Sequence, residues 1–146
     1  MKFERVVVGG SFDPLHRGHK ALLDKAFESG ERIIIGLTSD EMINKKIKSY
    51  SVRKSKLESY LSGVEYQIVK LDDPYGIATK DPQIDAIIVS EETRPRALEI
   101  NRIREKENLR QLEIITIPMI LAEDGRPISS TMIRDGEIDE EGKILR

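Results

Sequence analysis

The chain has 146 residues, 38% hydrophobic and 34% charged, with a formal net charge of -2 and no cysteine. That length suits one domain with its own core. The composition excludes disulfides, thiolate metal sites and thiol nucleophiles, and the slightly acidic balance gives no global reason to expect nucleic-acid binding. No apolar run reaches membrane-spanning length and Met1–Arg5 carries no signal-peptide pattern, so the expectation is a cytoplasmic protein without a membrane partner.

Phe3–Val8 is a β-branched run that stops at Gly9-Gly10, which predicts a buried strand and a tight turn. Helical spacing of Ala21, Leu22, Leu23, Ala26 and Phe27 predicts a helix from Gly18 to about Ser29, stopped by Gly30. A second strand is read over Arg32–Thr38. After a lysine-rich stretch, a helix is expected near Val52–Leu61, ending before Gly63. Glu65–Leu71 and Asp85–Ser90 read as strands three and four, Ala97–Asn108 as a helix with Arg104 on its charged face, and Leu112–Ile117 as strand five. The polar tail Asp135–Arg146 is expected to fray in part. Five apolar strands alternating with helical patterns predict a Rossmann-like α/β fold: a five-stranded parallel sheet with helices on both faces. Ligands in such folds gather at the carboxyl ends of the strands.

Two segments carry unusual chemistry. Gly9-Gly10-Ser11-Phe12-Asp13-Pro14-Leu15-His16-Arg17-Gly18-His19 runs from the end of strand one to the first helix and holds both histidines of the chain. Glycines allow close approach of backbone amides to a ligand, and a helix start favours phosphate. Three readings remain open on chemistry alone: phosphate handling, a structural helix cap, or a metal-binding histidine pair with Asp13 as the one nearby third ligand. Neither a Gly-x-x-x-x-Gly-Lys loop nor a Gly-x-Gly-x-x-Gly fingerprint is present. The second segment, Ile128-Ser129-Ser130-Thr131-Met132-Ile133-Arg134, makes a good helix start. Its hydroxyls and amides equally suit a triphosphate, with Arg134 as a cation one turn on.

Taken together, Gly-x-Phe-Asp-Pro-x-His-x-Gly-His and Ile-Ser-Ser-Thr-x-Ile-Arg resemble the nucleotidylyltransferase superfamily. More narrowly the chain resembles the archaeal-type phosphopantetheine adenylyltransferases, on Asp72-Asp73-Pro74-Tyr75-Gly76, Val89-Ser90-Glu91-Glu92-Thr93, Ile100-Asn101-Arg102 and Ile133–Asp139. The resemblance implies transfer of AMP from ATP to 4′-phosphopantetheine, with release of pyrophosphate, and Mg²⁺ bound mainly through the ATP phosphates without protein metal ligands. It implies catalytic roles for His16, His19 and Lys45. Nucleotide contacts fall on Gly9, Gly10, Ser11, Phe12, Gly18, His19, Ser129, Ser130, Thr131 and Arg134, and acceptor contacts on Ser11, Lys45 and Lys46. Of the basic residues Lys45, Lys46, Lys48, Arg53, Lys54 and Lys56, the first few would reach over the phosphates and the remainder would be surface charge. Ile77 and Ala78 are candidates for the pantetheine groove. No obligate protein partner is implied.

Overall fold

The computed structural model describes residues 2–44, 46–61 and 65–145. Five parallel strands, β1 (Phe3–Gly10), β2 (Gly30–Thr38), β3 (Tyr66–Leu71), β4 (Ala86–Ser90) and β5 (Glu113–Ile117), pair in the order β3-β2-β1-β4-β5. The helices are α1 (Arg17–Ser29), α2 (Tyr50–Tyr60), α3 (Arg94–Lys106) and the short α4 (Ser130–Arg134), with 3-10 turns over Asp40–Met42 and Gly76–Thr79.

Alternation along the central strands sorts the core into two layers. Val6, Val8, Ile33 and Ile35 face one side, where Leu23 and Ala26 of α1 and Leu57 of α2 cover them. Val7, Ile34, Ile87 and Val89 face the other, against Ala97 and Ile100 of α3 and Ala78 of the second 3-10 turn. The predicted α/β sheet with helices on both faces is therefore the observed one. Strand order reverses between β1 and β4, which both pair through β1's residues Val6 and Val7. That reversal opens the crevice in which such folds hold ligands.

Three expectations are corrected. Residues 135–145 of the tail are packed: Ile138 is fully buried with Ala122 and Ile128, Ile138 bridges Ile144, and the Arg17 amide donates to the Glu140 carbonyl at 3.1 Å. Apolar side chains hidden among tail charges anchor it. Arg104 does not join a charged face; it is fully buried, with Nε donating to the Arg110 carbonyl and Nη1 to the carbonyls of Ala78 and Asp81. Arg53 likewise is not surface charge, since only 1% of it is exposed. In both cases a guanidinium satisfies backbone carbonyls that local structure leaves open, an option that a polar letter in a periodic pattern conceals.

Candidate active site

The turn after β1 is built around the two histidines. His16 is the N-cap of α1, and its Nδ1 accepts from the amides of Gly18 at 3.0 Å and His19 at 3.3 Å. His19 Nδ1 accepts in return from the His16 amide at 3.3 Å. This is a capping box made from imidazoles instead of the usual hydroxyl and carboxyl groups. Gly18 is required by it: a Cβ there would stand 2.8 Å from His16 Cε1. The rings stack, with centroids 3.7 Å apart, and Phe12 closes on His19 at 5.2 Å.

That geometry fixes the tautomers. With Nδ1 accepting, each neutral ring carries its proton on Nε2. Burial pushes His16 from the ordinary 6.5 down to about 4. Burial, and secondly the neighbouring His16, push His19 down to about 3, against an opposing backbone hydrogen bond at Pro14. Near neutral pH the pair is two uncharged rings, each with one Nε2–H donor. The structural-cap reading and the phosphate reading are thus compatible, because the cap consumes Nδ1 alone.

Neighbouring residues complete the turn. The Ser11 hydroxyl pairs with Thr38 Oγ1 at 2.8 Å. Phe12 sits at φ 51° with its side chain buried, so its main chain is what it offers to a ligand. The Asp13 carboxylate accepts from the Lys48 amide at 2.8 Å, which docks the lysine loop on the histidine turn. Gly9 and Gly10 line a cavity of about 180 Å³. A Cβ on either would meet nothing closer than 3.4 Å, so the protein's own packing does not demand glycine at these two positions.

The second turn meets the first. Arg134, at the end of α4, donates from Nη1 to the Asp13 carbonyl at 3.1 Å, across 121 residues of sequence. Ser129 caps α4 by accepting from the Met132 amide at 3.2 Å. Among the described residues the hydroxyls of Ser130 and Thr131 have no hydrogen-bond partner. Lys46 is exposed, and its amide donates to Asn44 Oδ1 at 2.9 Å; Lys45 lies outside the described residues. Histidines, hydroxyls and Arg134 are brought to one end of the sheet, with Lys46 on the loop that Lys48 pins beside them.

Beyond Gly9 and Gly10 the cavity runs along the α3 face of the sheet, between Val7, Ile34 and Val89 and the wall formed by Tyr75, Ile77 and Ala78. Its lining is mainly apolar, with Thr38, Ser90, Thr93 and Arg96 as polar exceptions. Ile77 and Ala78 both line this groove. Arg96 also lines this groove, and Arg94, two residues earlier at the start of α3, is not part of its lining.

A parallel sheet whose switch point carries an imidazole-capped glycine turn, a hydroxyl turn bonded to it through Arg134, and an apolar groove is the form of a nucleotide-handling α/β protein. The chain belongs to the cytidylyltransferase-like family, whose model matches residues 7–136. Among its relatives, a phosphopantetheine adenylyltransferase of Methanothermobacter thermautotrophicus is 51% identical over 99% of this chain and 92% of its own. Another from Pyrococcus abyssi is 47% identical over 100% of this chain and 98% of its own. A crystal structure of a protein with unknown function from Archaeoglobus fulgidus superposes with a TM-score of 0.73 at 37% identity, covering 80% of this chain and 89% of that one. The resemblance to the archaeal-type enzymes is borne out over nearly the whole length. Among the described residues no helix is long and apolar enough to cross a membrane.

Proposed function

We propose that this chain moves AMP from ATP to 4′-phosphopantetheine, forming dephospho-coenzyme A and pyrophosphate. The relatives named for this activity align end to end with the chain. The observation that carries the mechanism is the 3.1 Å bond from Arg134 to the Asp13 carbonyl, which joins the two phosphate-suited turns into one site.

An oxygen of the acceptor's 4′-phosphate attacks the α-phosphorus of ATP, and the bond from that phosphorus to the oxygen bridging to the β-phosphate breaks. The attacking group is already an anion, so no general base is needed; the nearest carboxylate, Asp13, is in any case engaged by the Lys48 amide. Catalysis then consists of alignment and of donors aimed where charge gathers. His19 offers Nε2–H to a non-bridging α-oxygen, and His16 holds the ring and the helix start beneath it. The amides and hydroxyls of Ser129–Thr131 receive the departing pyrophosphate, and the lysine loop, with Lys45 and Lys46, grips phosphate from above. The apolar groove takes the pantetheine arm. Mg²⁺ would neutralise phosphate charge and reach the site on the nucleotide, as this ion ordinarily binds; the amide, hydroxyl and cationic groups of the two turns suit phosphate oxygens rather than the ion itself.

The test is pyrophosphate release from ATP with 4′-phosphopantetheine beside nicotinamide mononucleotide. Release with the first acceptor alone is expected. Release with the second alone would transfer the chain to a sister activity, and ATP binding without release would make it a nucleotide sensor.

A further inference from the structure

Arg53 stands outside every residue assigned above, yet it is the most fully hydrogen-bonded side chain at the site. An arginine carries five N–H donors, and here each finds an acceptor. Nε donates to the Lys48 carbonyl at 2.7 Å. Nη1 donates to the Ser11 carbonyl at 3.3 Å and Thr38 Oγ1 at 3.0 Å. Nη2 donates to the Thr38 carbonyl at 2.8 Å and Asp40 Oδ1 at 3.5 Å. These acceptors belong to three separate segments: the histidine turn, the end of β2, and the loop that carries Lys46. Lys48 then closes the circuit by donating its amide to Asp13, two residues beyond Ser11.

Helix α2 does not need this arrangement. A buried guanidinium is costly unless fully paired, and an apolar residue at this buried position, one turn before the buried Leu57 of α2, would complete the core at less cost. What the guanidinium supplies is a rigid planar fork that fixes the relative positions of several acceptors at once, which an ammonium on a flexible stem does not.

We propose that Arg53 is a positioning residue, whose buried guanidinium locks the lysine loop and the end of β2 onto the Gly9–His19 turn so that loop cations and imidazoles address the same phosphate. The proposal rests on the transferase reading for its kinetic test but not for its structural one. Displacing reacting groups by about 1 Å costs on the order of 10²-fold in rate.

The experiment measures pyrophosphate release, ATP affinity and thermal melting for wild type, Arg53→Lys and Arg53→Gln. The expected result is a turnover lowered about 10²-fold in both variants, with a cooperative melt and an ATP Kd within about threefold of wild type. Folded variants with wild-type turnover would overturn it. Should neither variant fold, Thr38→Val carries the same test. It removes the Oγ1 that Arg53 and Ser11 both bond while the guanidinium stays, and its turnover is expected to fall about tenfold and below that of Ser11→Ala; a rate unchanged, or no lower than that of Ser11→Ala, overturns the proposal. Should wild type itself release no pyrophosphate, the function reading fails and the positioning role is read from limited trypsin digestion. Loss of the clamp accelerates cleavage after Lys46 and Lys48 selectively, whereas equal acceleration at every site would leave Arg53 as a general core residue and sink the idea.

Discussion

Two imidazoles that cap one helix start do two jobs with different atoms. Nδ1 of His16 serves the backbone, so His16→Ala is expected to lose about 1 kcal/mol of stability, as for other N-cap truncations. His16→Asn, which restores an acceptor at the same distance from the chain, is expected to recover most of it in urea denaturation. Equal stability of the alanine and wild-type proteins would show that the cap contributes nothing. Nε2 of His19 serves the reaction, so His19→Ala is expected to lower turnover by roughly 10²–10³-fold, the scale for losing one electrostatic donor; a near-normal rate would remove His19 from the mechanism. The depressed pKa values add a pH signature. Both folded-state values, about 4 and about 3, lie below the ordinary 6.5. Between these limits the unfolded chain binds more protons than the folded one, so stability is fully present above 6.5 and is lost as pH falls through the folded values. Wild type is expected to lose stability progressively from about pH 6.5 down to the folded values of about 4 and about 3, with a shallower slope in a His16→Asn/His19→Asn double variant. Parallel slopes would mean the rings titrate normally. By the same reasoning the rate should show no histidine limb near pH 6.5.

Elements meet here with little slack, and a glycine marks one tight junction. Helix α1 ends at Ser29 and β2 begins at Gly30, with no loop between them. A Cβ on Gly30 would lie 2.6 Å from Cγ2 and 2.9 Å from Cβ of Val6, which is itself fully buried in β1. Because Gly30 has φ -129°, any residue could adopt its backbone, so the demand is for space alone. Gly30→Ala is therefore expected to cost about 1–3 kcal/mol by overpacking, seen as a lower denaturation midpoint with an unchanged slope. An unaltered midpoint would mean that α1 shifts freely on the sheet. The sequence marked Gly30 as a helix stop without revealing that it also opens the next strand, since a periodic pattern shows neighbours along the chain and not across the sheet. The same blindness explains Arg53 and Arg104, whose charges count as surface in any one-dimensional pattern. Strands β1, β2 and β4 were legible because continuous Ile and Val runs fit a sheet buried on both faces, and the edge strand β3 because its residues alternate. Helix α3 begins at Arg94, three residues before the apolar periodicity starts at Ala97, because Pro95 in the first turn lacks an N–H that would have gone unpaired there.

At the scale of the whole molecule, the site exists because a C-terminal segment crosses back to the start of the chain. Motif residues were legible in each turn separately, since hydroxyl runs and histidine-glycine spacing suit phosphate wherever they occur. Their convergence was not, because it depends on one side chain reaching one carbonyl and on a tail held by three buried apolar residues. Arg134 meets Asp13, the Arg17 amide meets Glu140, and Lys20 approaches Glu141 at 3.9 Å. The polar closing contacts are thus few beside the ladders of the sheet, which is the profile of a unit that opens at lower free energy than the sheet. A ligand bridging both turns would stabilise the closed arrangement by its binding free energy, about 2.7 kcal/mol at a hundred times Kd. ATP is therefore expected to slow amide hydrogen exchange in residues 128–136 and residues 14–20 together, with the exchange of β1 and β2 little changed. Arg134→Gln should weaken that joint protection while leaving the histidine cap intact. Protection of only one of the two stretches would show that they do not share a nucleotide, and the transfer mechanism built on their meeting would fall with it.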